Sequence, residues 1–115
     1  MLPSRVPLSK KATDKLRYLK IKTGLTLNIL SRVAIMLAIK ESNILRNAGV
    51  NDYDGQVLSR DVMFGDHQDT YAVMIKEYLI ENNIQMGISE AITALIEVGV
   101  FKIGHVKNLA DLAKV

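Results

Sequence analysis

Apolar side chains recur every three and four residues in two blocks of the first forty positions, the spacing of α-helices that bury one face. The first block predicts a helix over about 10–23. Ser9 is a suitable N-cap for it, and Gly24 supplies a C-terminal stop. The residues that share its apolar face are Ala12, Leu16 and Leu19. The chain therefore begins with an amphipathic helix.

The second block predicts a helix from a cap at Thr26 to roughly Glu41. Its main apolar stripe consists of Leu27, Leu30, Val33, Ala34, Leu37 and Ala38. Its other sides carry Ile29, Ile35, Met36 and Ile39. A helix that is apolar nearly all round must be buried on more than one face. In a chain of 115 residues, we expect a second copy of the protein to supply part of that cover.

Ahead of the first helix, residues 5–8 are predicted to be extended, because Pro3 and Pro7 exclude helix there. The order of an extended segment followed by two helices resembles the ribbon-helix-helix fold, whose dimers pair strands and place them in the major groove. Only Arg5 suits the base-reading role of that strand, and Pro7 would remove a hydrogen bond from the strand ladder. The resemblance therefore concerns architecture rather than base recognition.

Residues 43–65 are rich in Asn, Asp and Gly and lack a sustained period. They predict a long connection with a short ordered piece at Gln56 to Met63. Asp66 then offers an N-cap for a third helix that ends near Asn82. The apolar face of that helix comprises Tyr71, Ile75, Tyr78 and Leu79.

A fourth helix is predicted to begin at Ser89, and Gly104 separates it from a last amphipathic turn, Leu109 to Lys114. Its apolar side comprises Ile92, Leu95, Ile96 and Gly99. The pattern as a whole predicts a mainly α fold: a single-domain helical bundle over residues 1–115, with a short extended N-terminal piece and a ribbon-helix-helix-like N-terminal half. Hydrophobic residues make up 49% of the chain and aromatic residues only 5%, as packed aliphatic helices require.

The chain contains no Cys, which excludes disulfides, thiolate metal sites and a thiol nucleophile. Residues 1–12 lack the long apolar stretch of a signal peptide, and polar residues interrupt the most apolar segment, Leu27 to Ile39. We therefore expect a cytoplasmic protein.

Charge is unevenly distributed: residues 1–46 carry ten Lys and Arg against two acids, a net +8, whereas residues 47–115 carry five against ten, a net −5. On the first helix, Lys11, Lys15, Tyr18 and Lys22 fall within roughly 60° of one another and form what we call the basic stripe. Such charge runs are usually solvated faces, but the one-sided excess favours contacts to DNA phosphates with little sequence preference. The candidate DNA-binding residues are Arg5, Lys10, Lys11, Lys15, Arg17, Lys20 and Lys22.

Other chemistry has weak support in the sequence. The acidic stretch Asp52-Tyr53-Asp54-Gly55 fails the calcium-loop pattern, because Val50 stands where the first carboxylate belongs. His67 and His105 are not at ligand spacing with another donor. No nucleophile elbow or Gly-rich phosphate loop occurs. We expect no enzyme activity, no cofactor and no metal.

Three features of the chain together carry a resemblance to a known family. They are the basic N-terminal part with Leu16 through Gly24, the aliphatic helix that follows, and the stretch Arg60-Asp61-Val62-Met63-Phe64-Gly65-Asp66 leading into Tyr71. In these the chain resembles the DndE family of DNA sulfur-modification (phosphorothioation) proteins. The resemblance implies a small helical protein that acts with separate desulfurase, sulfurtransferase-like and ATPase components. It also implies a homotetramer that binds DNA, nicked duplex in particular, through surface lysines.

Two alternatives remain open at this point. The chain could be a protein-interaction subunit of the modification complex whose basic stripe docks on an acidic partner, or a ribbon-helix-helix-type transcriptional regulator. The regulator alone predicts a strong preference for one operator over random duplex.

Overall fold

The computed structural model describes residues 2–40 and 50–104. Within these ranges, two short strands and five α-helices follow one another as β1 (Arg5–Pro7), α1 (Lys10–Thr23), α2 (Leu27–Lys40), β2 (Val57–Ser59), α3 (Arg60–Phe64), α4 (Gln68–Glu81) and α5 (Ile88–Gly104). A 3₁₀ turn, Gly65–His67, joins α3 to α4. The predicted fold class and the extended N-terminal piece are confirmed. The predicted end of the second helix at Glu41 and the turn at Leu109 to Lys114 lie outside the described residues.

Both predicted ends of α1 are confirmed. The hydroxyl oxygen of Ser9 accepts a hydrogen bond from the backbone N–H of Ala12 at 3.0 Å. Gly24 adopts a left-handed conformation with φ of 77°, and its N–H donates to the carbonyl of Lys20. Thr26 caps α2 in the same way, because its hydroxyl accepts from the N–H of Ile29 at 3.2 Å. These local polar contacts satisfy helix-end groups that have no partner within the helix.

The buried face of α2 packs against α5, which is its main partner, and α1 and α3 add smaller contacts. Residues 91–100 of α5 are all buried, so α5 is the central helix of the bundle. Gly99 lies directly against the backbone of Ala34, where a methyl group on residue 99 would overlap the Ala34 carbonyl. α5 of the same chain covers this face of α2, and cover of its other sides by a second copy stays a prediction. Met36, on another side of α2, is exposed.

The strand β1 pairs antiparallel with β2, with Val6 opposite Leu58. The predicted ordered piece in the connection is thus a strand followed by the short helix α3. The strand–helix–helix order of the N-terminal half is present, and the partner of its strand in this structure belongs to the same chain. The Thr93 hydroxyl of α5 donates to the Pro7 carbonyl at 2.9 Å, which ties the small sheet to the central helix.

The third predicted helix has a different start from the one expected. Asp66 is not its N-cap: it lies in the 3₁₀ turn, and the residue before α4 is His67, whose side chain makes no cap hydrogen bond. The preceding 3₁₀ turn continues into α4 and offers backbone acceptors there, so a side-chain cap is not required. Phe64 is fully buried, 4.8 Å from the ring of Tyr71, and anchors this turn.

Among the described residues, no single helix is long and apolar enough to cross a membrane. Taken together, α1 and α2 have the length and composition of a membrane span, but the two helices meet at a bend of 109°.

The close approach of α2 and α5 predicts that Gly99→Ala destabilises the fold. The added methyl group forces the two backbones apart, and we expect a loss of about 2–3 kcal/mol in the free energy of unfolding, typical of an overpacked core. Urea denaturation monitored by circular dichroism measures it. Gly87→Ala is the matched control, because a methyl group there meets nothing closer than 3.9 Å. Equal stability of the two variants would contradict the packing described.

Candidate nucleic-acid interface

The N-terminus of α1 is fixed to the central helix by two buried polar side chains. The Ser9 hydroxyl, which caps α1, also donates a hydrogen bond to the carboxylate of Glu97 in α5. Both residues are 2% exposed. The Thr13 hydroxyl donates in turn to the Ser9 carbonyl at 2.8 Å. A buried carboxylate held by a hydroxyl at a helix N-terminus also complements the positive end of the helix dipole, so α1 has a defined position on α5.

The acidic stretch that precedes β2 closes the same helix end from outside. One carboxylate oxygen of Asp52 accepts from the backbone N–H groups of Lys10 and Asp54, both at 2.9 Å. The bond from Asp54, and then that from Lys10, hold the pKa of Asp52 below its ordinary value. Both bonds stabilise the ionised form of the carboxyl group. Gly55 passes so close to Thr13 that a side chain there would overlap it. The two hydrogen bonds of Asp52 give it a structural role at the start of α1.

Within residues 2–40 and 50–104, no three His, Asp or Glu side chains converge as metal ligands would. The ion pair found in this part of the chain joins Arg60 to its neighbour Asp61 at 3.3 Å. None of the seven predicted cations forms an ion pair with an acid there. Six of the seven are exposed and Lys15 is half-buried. Their charge is thus presented to solvent.

The basic stripe forms as predicted on one flank of α1. The ammonium groups of Lys15 and Lys22 lie 5.5 and 5.4 Å from the centre of the Tyr18 ring. The ammonium of Lys11 lies 4.7 Å from the centre of the Phe101 ring, which belongs to α5. Exposed cation–π contacts are worth about 0.5–1 kcal/mol each. Contacts of this strength hold the ammonium groups beside the rings only weakly, so the groups can move to meet a ligand.

The other predicted cations are not part of this cluster. The guanidinium of Arg17 donates to the Gln56 side chain at 3.3 Å, on the flank of α1 that faces the residues before β2. Helical spacing of about 100° per residue places Lys20 on the opposite flank from Lys11. Arg5 lies in β1, and the backbone of Lys10 is bonded to Asp52.

A groove of about 460 Å³ runs beside the basic stripe, between α1 and α5. We call it the α1–α5 groove; it is lined by Lys11, Asp14, Lys15, Tyr18, Glu97 and Phe101, among others. Phe101 was not identified from the sequence. An aromatic residue at the end of an apolar helix is typical of a core position, and only the packing of α1 on α5 brings its ring to Lys11.

Fold and surface together define a class of protein: a small, mainly α chain with an exposed cationic flank on its first helix. The sequence profile of the family described as DNA sulphur modification protein DndE matches residues 5–111. The chain belongs to the DndE family.

Two solved structures are similar to the chain. One is the crystal structure of DndE from Escherichia coli B7A, involved in DNA phosphorothioation modification; it has a TM-score of 0.69 and 25% sequence identity, over 90% of this chain and 99% of that chain. The other is a glycine-to-lysine mutant of DndE involved in DNA phosphorothioation, with a TM-score of 0.66 and 26% identity, over 88% and 99%. No curated protein sequence matches the chain significantly.

The hydrogen bonds of Asp52 predict an acid-dependent contribution to stability. Its pKa is lower in the folded than in the unfolded chain, so protonation favours unfolding. The contribution is therefore fully present above the ordinary value of 3.8 and is lost as the pH falls through the lowered folded value. Asp52→Asn should unfold at lower urea concentration than the wild type at neutral pH, and the difference should shrink in acid.

Urea midpoints measured across this pH range provide the test. Asp54→Asn is the control, because the Asp54 carboxylate accepts no hydrogen bond in the described part of the chain. A difference between wild type and Asp52→Asn that stays constant with pH would contradict the role given to Asp52.

Proposed function

We propose that this chain is a non-catalytic, cytoplasmic DNA-binding component of a DNA phosphorothioation system. It binds the backbone of duplex DNA, nicked duplex included, through the basic stripe of α1. The observation that carries the proposal is the position of three ammonium groups on one flank of α1, beside two exposed aromatic rings. None of the three forms an ion pair within residues 2–40 and 50–104. Membership of the DndE family supports the pathway.

The mechanism is electrostatic positioning. Lysines that meet phosphates release condensed counterions from DNA, which gives affinity that falls steeply with salt and depends little on sequence. The cation–π contacts keep the ammonium groups close to one surface before DNA arrives, which reduces the loss of side-chain freedom on binding. The protein would hold DNA for partner proteins of the system that carry out the sulfur chemistry.

Self-association into a homotetramer would increase this affinity. A symmetric assembly repeats the basic stripe, so that several weak phosphate contacts act on one DNA molecule. Ile21 of α1, whose side chain is 84% exposed, supports such an assembly, because a contact between subunits would remove its apolar surface from water.

Exposed apolar residues on α3 and α4 favour a second function for another surface. Val62 in α3 and Val73 and Ile80 in α4 would serve a contact with other modification proteins. This function is compatible with DNA binding by α1. In the competing hypothesis the basic stripe itself docks on an acidic protein. That hypothesis predicts no DNA binding, so a DNA-binding measurement distinguishes it from the proposed function.

Simultaneous reversal of Lys11, Lys15 and Lys22 to Glu should abolish duplex binding and leave the circular dichroism spectrum unchanged. Fluorescence anisotropy at several salt concentrations measures both the affinity and its salt dependence, with intact, nicked and single-stranded DNA of equal length. We expect wild-type affinity to fall steeply with salt and to be highest for nicked duplex. Replacement of the same three lysines by Gln removes about three phosphate contacts without adding negative charge, and should reduce the magnitude of the slope of log K against log salt by about three.

The control is the pair of reversals Lys40→Glu and Lys76→Glu, at exposed positions of α2 and α4. We expect these to weaken binding only slightly, through the change in net charge. Equal weakening by both sets, or undiminished affinity of the stripe variant, would refute the stripe as the binding site. Absence of binding to any DNA would support docking on an acidic protein.

A further inference from the structure

The α1–α5 groove carries features that binding of a phosphate backbone does not use. Tyr18 of α1 is 51% exposed and Phe101 of α5 is 41% exposed, and both rings line the groove. A single exposed ring is ordinary on a protein surface, but here two rings share one groove with Lys11 and Lys15. Aromatic rings beside lysines are the combination on which the bases of single-stranded nucleic acids stack.

We propose that this groove is a stacking site for one unpaired nucleotide of DNA. The base lies on the ring of Phe101, with Tyr18 beside it, and the adjoining phosphate is held by Lys11 and Lys15. The inference rests on the proposed function, because it takes DNA as the ligand. The stacking site goes beyond the proposed function because it assigns a role to a residue of α5 and names a base, rather than the backbone, as the group recognised.

The lysines of the groove do not block such a base. The ammonium of Lys11 lies over the ring of Phe101 at 4.7 Å from its centre. Stacking of a base on an aromatic ring is generally stronger than an exposed cation–π contact. The base can therefore displace the ammonium group, and the freed group is then within reach of the phosphate attached to the same nucleotide.

Of the two acids that line the groove, only Asp14 opposes binding of a longer strand. Glu97 is buried, and its carboxylate accepts the hydrogen bond of Ser9, so it faces α1 rather than solvent. Asp14 is exposed and also lines the groove. Its charge opposes a second phosphate near the first. The volume of about 460 Å³ lies in the range of small-molecule sites and is large enough for one base.

The experiment compares a blunt duplex with the same duplex carrying one unpaired 2-aminopurine at a 3′ end. Fluorescence of 2-aminopurine is quenched when the base stacks. For the wild type we expect quenching on binding and about tenfold tighter binding of the overhang duplex. Phe101→Leu should lose both the quenching and the preference for the overhang duplex. That preference is the ratio of the affinities for the two duplexes, so it can be read even if the variant binds the blunt duplex more weakly. Phe101→Tyr, which keeps a ring, should retain both.

Tyr53→Leu is the matched control, because Tyr53 is as exposed as Tyr18, at 51%, but does not line the groove. The Tyr53→Leu variant should behave as the wild type. Salt-dependent binding of the blunt duplex without quenching, or an unchanged preference in Phe101→Leu, would overturn the stacking site and leave the proposed function standing. Failure of the wild type to bind either duplex would overturn both. If Phe101→Leu does not fold, the wild-type quenching and its persistence in Phe101→Tyr decide the question.

Discussion

The structure depends on one close backbone contact, between Gly99 of α5 and Ala34 of α2. Because neither residue has a bulky side chain, the two helices approach until their backbones touch, and the aliphatic residues on either side interlock around that point. With few aromatic residues in the chain, such close packing of small and branched side chains is what makes a dense core. Besides α2, α5 contacts α1, α4 and β1.

The candidate interface is a consequence of that arrangement. Once α5 is central, the buried bond between Ser9 and Glu97 fixes the start of α1 on it. The core residues of α1 point inward, and its flank with Lys11 comes beside Phe101 near the far end of α5. The cations that this flank gathers contribute little to folding stability, since exposed charge contacts are weak. The role that we propose for them is therefore the binding of an anionic ligand.

The sequence was most informative where structure is decided locally. Ser9 and Gly24 identify the ends of α1 because caps act within one turn of the chain, and the basic stripe follows from helical spacing alone. Asp66 shows the limit of this reasoning: a suitable capping residue is present, but a 3₁₀ turn replaces the cap. The pairing of β1 with β2 and the contact of Phe101 with Lys11 could not be predicted, because both join residues far apart in the chain and depend on tertiary packing.

The most direct test of DNA binding by the basic stripe is lysine-acetylation footprinting of the folded protein, with and without duplex DNA, read out by mass spectrometry. Footprinting probes all surface lysines in one sample, and Lys76 on α4 serves as an internal reference. We expect strong protection of Lys11, Lys15 and Lys22 by DNA, while Lys76 reacts as in the free protein. Protection spread evenly over all lysines, or centred on α4, would contradict the assignment of DNA binding to the exposed flank of α1.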